Sequence, residues 1–155
     1  MRTKTEHQQR VEELMRNAKQ EIPTRPVIPD EKTRLLRARL ILEEALETVR
    51  ALGISVNLIE NEDGTLDREV TGGMKSHTLD FIPDPEYPPD LEEIADGCAD
   101  ISVVTMGTLS ACGITDDSVL REVDCNNLRK FEHHCPTCER PGKAVDDKNM
   151  PGVRV

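Results

Sequence analysis

Apolar residues recur at helical spacing in several stretches of the chain, and proline- or glycine-rich breaks separate them. Over residues 5–20, Val11, Leu14, Met15 and Ala18 share one side of a short amphipathic helix. Pro23, Pro26 and Pro29 then make a stiff connector, because proline lacks the N–H that a helix interior needs. Asp30 predicts an N-cap, with Glu31 in the first turn, and a long helix runs to Leu52 and stops at Gly53. Asp90 predicts the cap of a further helix over about 91–112, ended by Gly113. Thr115, Asp116 and Asp117 open the last helix, to about Phe131, with acids at the positive end of its dipole.

The period changes between the two long helices. Ile54, Val56 and Leu58 alternate with polar residues, as in a half-buried strand. Asn61 to Gly64 offers turn chemistry, and Thr65 to Val70 reads as the returning strand. Residues 71–90, with Gly72, Gly73, Pro83, Pro85, Pro88 and Pro89, read as irregular. Residues 54–90 are thus expected to form a hairpin and loop inserted between helices, and 132–155 an irregular tail. The expected fold is all-α: an antiparallel helical bundle in a single domain over 1–155, with a small β insert.

Composition narrows the function. The net charge is −10, and the aromatics are only Phe81, Tyr87 and Phe131. Acidity argues against a grip on a phosphate backbone, and the missing aromatics against a base-stacking platform, so no polymeric nucleic acid is expected. No run approaches the roughly 18 apolar residues of a membrane span, so no membrane partner is expected. The five cysteines, with no export signal, suggest a reducing, cytoplasmic compartment.

The chemistry sits in two carboxylate pairs. At about 100° per residue, Leu35, Ala38, Ile41, Leu42, Ala45, Leu46, Val49 and Leu52 form a broad core face. Arg39, Glu43 and Arg50 form a narrow solvated strip. Glu44 and Glu47, spaced i, i+3, share a different sector with Leu36, Leu40 and Ala51 and are expected to be partly enclosed. In the later helix, Leu91, Ile94, Ala95, Cys98, Ile101 and Leu109 form the main apolar face. Glu93, Asp96 and Asp100 lie opposite, on a side that becomes Val103, Val104, Gly107 and Ala111 one turn on. A helix apolar all round is buried all round, so these acids are expected to face protein or a cavity.

A charged stripe is most often a solvated face. Two helices that both set acids beside apolar neighbours favour enclosure instead. Enclosed carboxylates repel and need a counter-charge, which a divalent cation supplies. The donors are all oxygen, without the histidine of a di-iron pattern, which suits Mg²⁺ or Mn²⁺. Such a site suggests metal-assisted attack of water on phosphorus.

Glu44-x-x-Glu47, Glu93-x-x-Asp96 and the following Asp100 resemble the MazG-like nucleotide pyrophosphohydrolases, an all-α superfamily that includes phosphoribosyl-ATP pyrophosphohydrolase and helical dUTPases. The surrounding Leu40-Ile41-Leu42-Glu43-Glu44-Ala45-Leu46-Glu47 and Glu93-Ile94-Ala95-Asp96-Gly97-Cys98-Ala99-Asp100 fit as well. Asn127-Leu128-Arg129-Lys130 stands where the family often has Asn-Met-x-Lys, and Gly142-Lys143 resembles a recurring tail element. The resemblance spans about 30–145. It implies a helical dimer or tetramer that cleaves a nucleoside triphosphate between the α and β phosphates, releasing pyrophosphate. It further implies Glu44, Glu47, Glu93 and Asp96 as Mg²⁺ ligands, with Asp100 a further ligand or an acceptor behind them. Asn127, Arg129, Lys130 and Lys143 would contact nucleotide or phosphate, and Lys130 would assist catalysis. A carboxylate would orient or deprotonate the water, and Glu47 is taken for that role although its spacing does not separate it from the ligands.

His133-His134-Cys135-Pro136-Thr137-Cys138 is a second constellation. Cys135 and Cys138 could grip Zn²⁺ with His133 or His134, but a second separated pair is missing, so a complete site would need sharing across a dimer. A surface turn with free thiols, or a redox pair, fits the same residues. Cys98, Cys112 and Cys125 are expected to be small buried hydrophobes. Two rivals to nucleoside triphosphate hydrolysis follow: phosphoribosyl-ATP hydrolysis in histidine synthesis, and a non-catalytic, zinc-stapled helical adaptor.

Overall fold

The computed structural model describes residues 4–58 and 79–131. Its elements are α1 (Glu6–Asn17), α2 (Glu31–Ala51), β1 (Ile54–Leu58), β2 (Leu79–Pro83), α3 (Leu91–Ala111) and α4 (Asp116–Leu128), followed by a 3₁₀ turn at Arg129–Phe131. The fold is all-α with a small β insert, as the periodicity predicts.

The helix boundaries follow local chemistry. Asp30 accepts from the Thr33 N–H at 2.8 Å and caps α2. Asp90 accepts from the Glu92 and Glu93 N–H groups and caps α3. Gly53 and Gly113 follow α2 and α3 with φ of +74° and +66°, the left-handed conformation that ends a helix and costs glycine least.

The chain divides into two compact units, one of residues 28–108 and one of 1–27 with 109–155. The second unit has a small apolar core that includes Val11, Met15, Ala111 and Cys125. Beside it lies a buried polar network. Gln8, fully buried, donates to Ser110 Oγ at 3.0 Å and to the Ile114 carbonyl at 2.8 Å, and it accepts from the Asp116 N–H at 2.9 Å. Asp116, also fully buried, accepts from the Thr5 N–H and hydroxyl. Glu12 accepts from Lys4, Arg16 and Ser110 Oγ. Thr115 stands at the N-cap of α4 as expected, but its side chain makes no capping bond. Gln8→Leu would strand the half-buried Ile114 carbonyl and the buried Asp116 N–H, so the unfolding free energy should fall by about 2–4 kcal/mol. A urea titration reads this, and a change within about 0.5 kcal/mol would contradict the network's role.

In the 28–108 unit, β1 and β2 pair antiparallel, with Ile54 opposite Pro83, Val56 opposite Phe81 and Leu58 opposite Leu79. This corrects the expectation that 71–90 is irregular throughout. Pro83 reads as a breaker, but it is the last residue of a two-stranded sheet, where a missing N–H is tolerated. The expected strand over 65–70 lies outside the described residues.

A second correction concerns the apolar faces. Leu35, Ile41, Leu42, Leu46 and Leu52 of the α2 face are exposed, as are Leu91, Ala95 and Cys98 of α3. Cys112 is half-buried and Cys125 buried. Helical period shows that a face is apolar, not that the same chain covers it. Among the described residues of the 28–108 unit, two long helices and one small ribbon leave these faces uncovered.

Candidate functional site

The carboxylate pairs are positioned by one close approach between α2 and α3. Thr48 is buried, and its hydroxyl turns inward to donate to the Glu44 carbonyl at 2.7 Å. Gly97 faces it. A Cβ on Gly97 would collide with the Thr48 hydroxyl and lie 3.1 Å from its Cβ and 3.2 Å from its Cα. Only a residue without a side chain admits α2 this closely.

The helical repeat then sets what surrounds that point. Glu44 and Glu47 precede Thr48 by four residues and by one. Glu93 and Asp96 precede Gly97 by the same intervals, and Asp100 follows by three. Residues three and four apart are neighbours on a helix, so Glu44 on α2 and Glu93 and Asp100 on α3 share the face of the Thr48–Gly97 contact, while Glu47 and Asp96 stand one residue before it.

The consequence is electrostatic. Glu44 is half-buried, and its carboxyl titrates above the ordinary glutamate range. Loss of water is the first cause; the charges of Asp100, Glu47, Glu43 and Asp96 follow. Both long helices therefore contribute negative charge at one place. Glu47 and Glu93 also line an open cavity of about 340 Å³ with Arg50, Ala51, Tyr87, Pro88 and Asp90.

The expectation of enclosure holds only in part. Glu44 is partly shielded, whereas Glu47, Glu93, Asp96 and Asp100 are exposed. The apolar surround of α3 begins at Val104, one turn beyond the acids, and leaves their own turn open. Among the described residues, no three acid, histidine or cysteine side chains form a group arranged to hold a metal ion. What fits a divalent cation is the donor chemistry: hard carboxylate oxygens, crowded enough that one of them holds its proton more tightly than usual.

The remaining residues singled out in the sequence are not part of the 28–108 unit. Lys130 donates to Asn127 Oδ1 at 2.8 Å, both exposed, at the end of α4 and in the turn after it. Arg129 is half-buried in the same turn. All three belong to the other compact unit. Lys143 and the His133, His134, Cys135 and Cys138 cluster lie outside the described residues.

The sequence reading missed Thr48, Gly97, Arg50 and Tyr87 as parts of this region. For Gly97 a signal existed, because glycine inside a helix costs about 1 kcal/mol relative to alanine and usually has a packing reason. For the other three there was none.

A family model described as phosphoribosyl-ATP pyrophosphohydrolase matches residues 9–127. The match begins within the first turn of α1 and runs to the penultimate residue of α4. A comparison with curated proteins gives no match.

Proposed function

Since the chain belongs to the phosphoribosyl-ATP pyrophosphohydrolase family and is therefore a nucleotide pyrophosphohydrolase, a hydrolase of phosphoric anhydride bonds, we propose that it cleaves a nucleoside triphosphate between the α and β phosphates in a Mg²⁺-dependent reaction. The products are the nucleoside monophosphate and pyrophosphate. The observation that carries this reading is the convergence of carboxylate charge from two helices on Glu44.

In this reading Glu44, Glu47, Glu93, Asp96 and Asp100 hold Mg²⁺, with Mn²⁺ as a substitute. An ion held there would supply neutralisation of phosphate charge and polarisation of the bond to be broken. Glu47, on the cavity wall, orients the water and accepts its proton. Asn127, Arg129, Lys130 and Lys143 contact the nucleotide. The working enzyme is a homodimer or homotetramer, supported by exposed Leu35, Ile41, Leu42 and Leu46 on one helix, since soluble proteins seldom leave a contiguous apolar face open.

A second reading, hydrolysis of phosphoribosyl-ATP itself, is favoured by the description of the matching family. It uses the same residues and breaks the same kind of bond. One assay separates the two: pyrophosphate and phosphate release from a panel of NTPs, dNTPs and phosphoribosyl-ATP, with Mg²⁺ and with chelator. Pyrophosphate release that stops with chelator is expected, and the preferred member identifies the substrate. Phosphate release alone, or turnover indifferent to chelator, would overturn the proposal.

A further inference from the structure

The acidic cavity poses a problem for any nucleotide reaction. Among the described residues its acids are Glu47, Asp90 and Glu93, and its one basic lining residue is Arg50. Asp90 is engaged in capping α3. Arg50 lies one turn beyond Glu47 on α2, so Glu44, Glu47 and Arg50 form a ladder with rungs about 4.5 Å apart along the axis.

The position of Arg50 is built rather than incidental. Its guanidinium carbon lies 3.8 Å from the centroid of the Tyr87 ring. The ring occupies one flat face of the guanidinium and leaves the N–H donors at its edges available. Among the described residues Arg50 makes no ion pair and no hydrogen bond with a side chain, although Glu47 is its neighbour.

Tyr87 is itself fixed. The Asp84 N–H donates to the Gly53 carbonyl at 2.8 Å, and the Asp90 N–H to the Ala51 carbonyl at 3.0 Å, so both ends of the 84–90 segment are tied to the end of α2. Ser55 Oγ donates to Asp84, and Asp84 also accepts from the Glu86 N–H at 3.0 Å. Gly53 packs so closely on this segment that a Cβ there would lie 2.9 Å from Pro89 Cδ and 3.1 Å from the Tyr87 carbonyl.

We propose that Arg50, stacked on Tyr87 at the wall of the cavity shared with Glu47 and Glu93, binds a phosphate of the substrate's polyphosphate group. Arg50 is the binding residue, and Tyr87 positions it. The planar fork of an arginine suits two phosphate oxygens at once, and a stacked fork has lost part of its conformational freedom before the ligand arrives. The proposal rests on the pyrophosphohydrolase reading and adds the subsite that offsets the acidity of the cavity.

The test is calorimetric binding of pyrophosphate, and separately of a nucleoside monophosphate, to the full chain with Mg²⁺. Arg50→Gln should weaken pyrophosphate binding by about 10- to 100-fold while changing monophosphate binding less than about twofold. Arg50→Lys should recover part of the loss, because it restores charge without the fork. Tyr87→Ala should give a smaller loss of the same kind. Pyrophosphate binding by Arg50→Gln equal to that of the parent chain would overturn the proposal and leave the pyrophosphohydrolase reading standing. A parent chain that binds neither ligand would overturn that reading, and the subsite with it.

Discussion

Glu44→Gln is expected to abolish measurable turnover, a loss of at least about a hundredfold, while making the metal-free protein more stable at neutral pH. The two effects have one cause. The carboxyl of Glu44 titrates above the ordinary value of 4.5 because it has lost water and faces Asp100, Glu47, Glu43 and Asp96. A carboxyl with a raised folded-state pKa is destabilising once ionised. Its penalty is absent below the unfolded value and grows as pH rises through the folded one. Glutamine carries no charge, so the variant should melt above the parent chain at neutral pH, and the difference should close below about pH 4. Mg²⁺ should raise the melting temperature of the parent chain at neutral pH and that of the variant much less. Thermal melts with and without Mg²⁺ at both pH values, beside the pyrophosphate assay, read all of this. Full turnover by Glu44→Gln would refute the proposed site. A metal-free variant less stable than the parent chain at neutral pH would refute the crowding argument.

Gly97→Ala should have the second-largest effect, and it tests geometry rather than charge. By helix propensity alone, alanine would stabilise α3 by about 1 kcal/mol. The new methyl group must instead displace Thr48, and overpacking of this kind costs about 1–3 kcal/mol. The variant should therefore melt lower, so the sign of the change decides which effect wins. Turnover should fall further than stability alone accounts for, because moving α3 away from α2 separates Asp96 and Asp100 from Glu44. A misplacement near 1 Å can cost about a hundredfold in rate. Thr48→Ala in the same chain should restore part of both losses. The restoration is partial because the two Cβ atoms would still stand 3.1 Å apart. A Gly97→Ala protein that is more stable and fully active would show that the close approach does not position the carboxylates.

Much of this region was legible before the structure. Glu44 and Glu47, and likewise Glu93 and Asp96, are neighbours by the helical repeat alone, and the all-oxygen donor set follows from residue identity. The ordered motifs sufficed to place the chain in its family. Which acid would feel the others most was not legible. Only the crossing at Thr48 and Gly97 makes Asp100 the acid that Glu44 feels most, with Asp96 behind Glu47 and Glu43. Nor was the exposure of Leu42, Leu46 and Cys98, because an apolar stripe predicts burial against something without saying what covers it.

Local sequence preferences alone specify the start of α2 at Asp30, the start of α3 at Asp90, their glycine stops at Gly53 and Gly113, and β1 at Ile54–Leu58. Each of these depends on residues within one turn or one strand, where side-chain and backbone preferences act directly. The folded arrangement supplies what depends on residues distant in the chain. It chose Leu79–Pro83 as the partner of β1, set Gly97 on Thr48, and brought Tyr87 beneath Arg50. Local preference carries no information about such pairings. They are selected by the backbone bonds and packing of the folded unit as a whole, and the proposed catalytic and binding groups lie where those pairings meet.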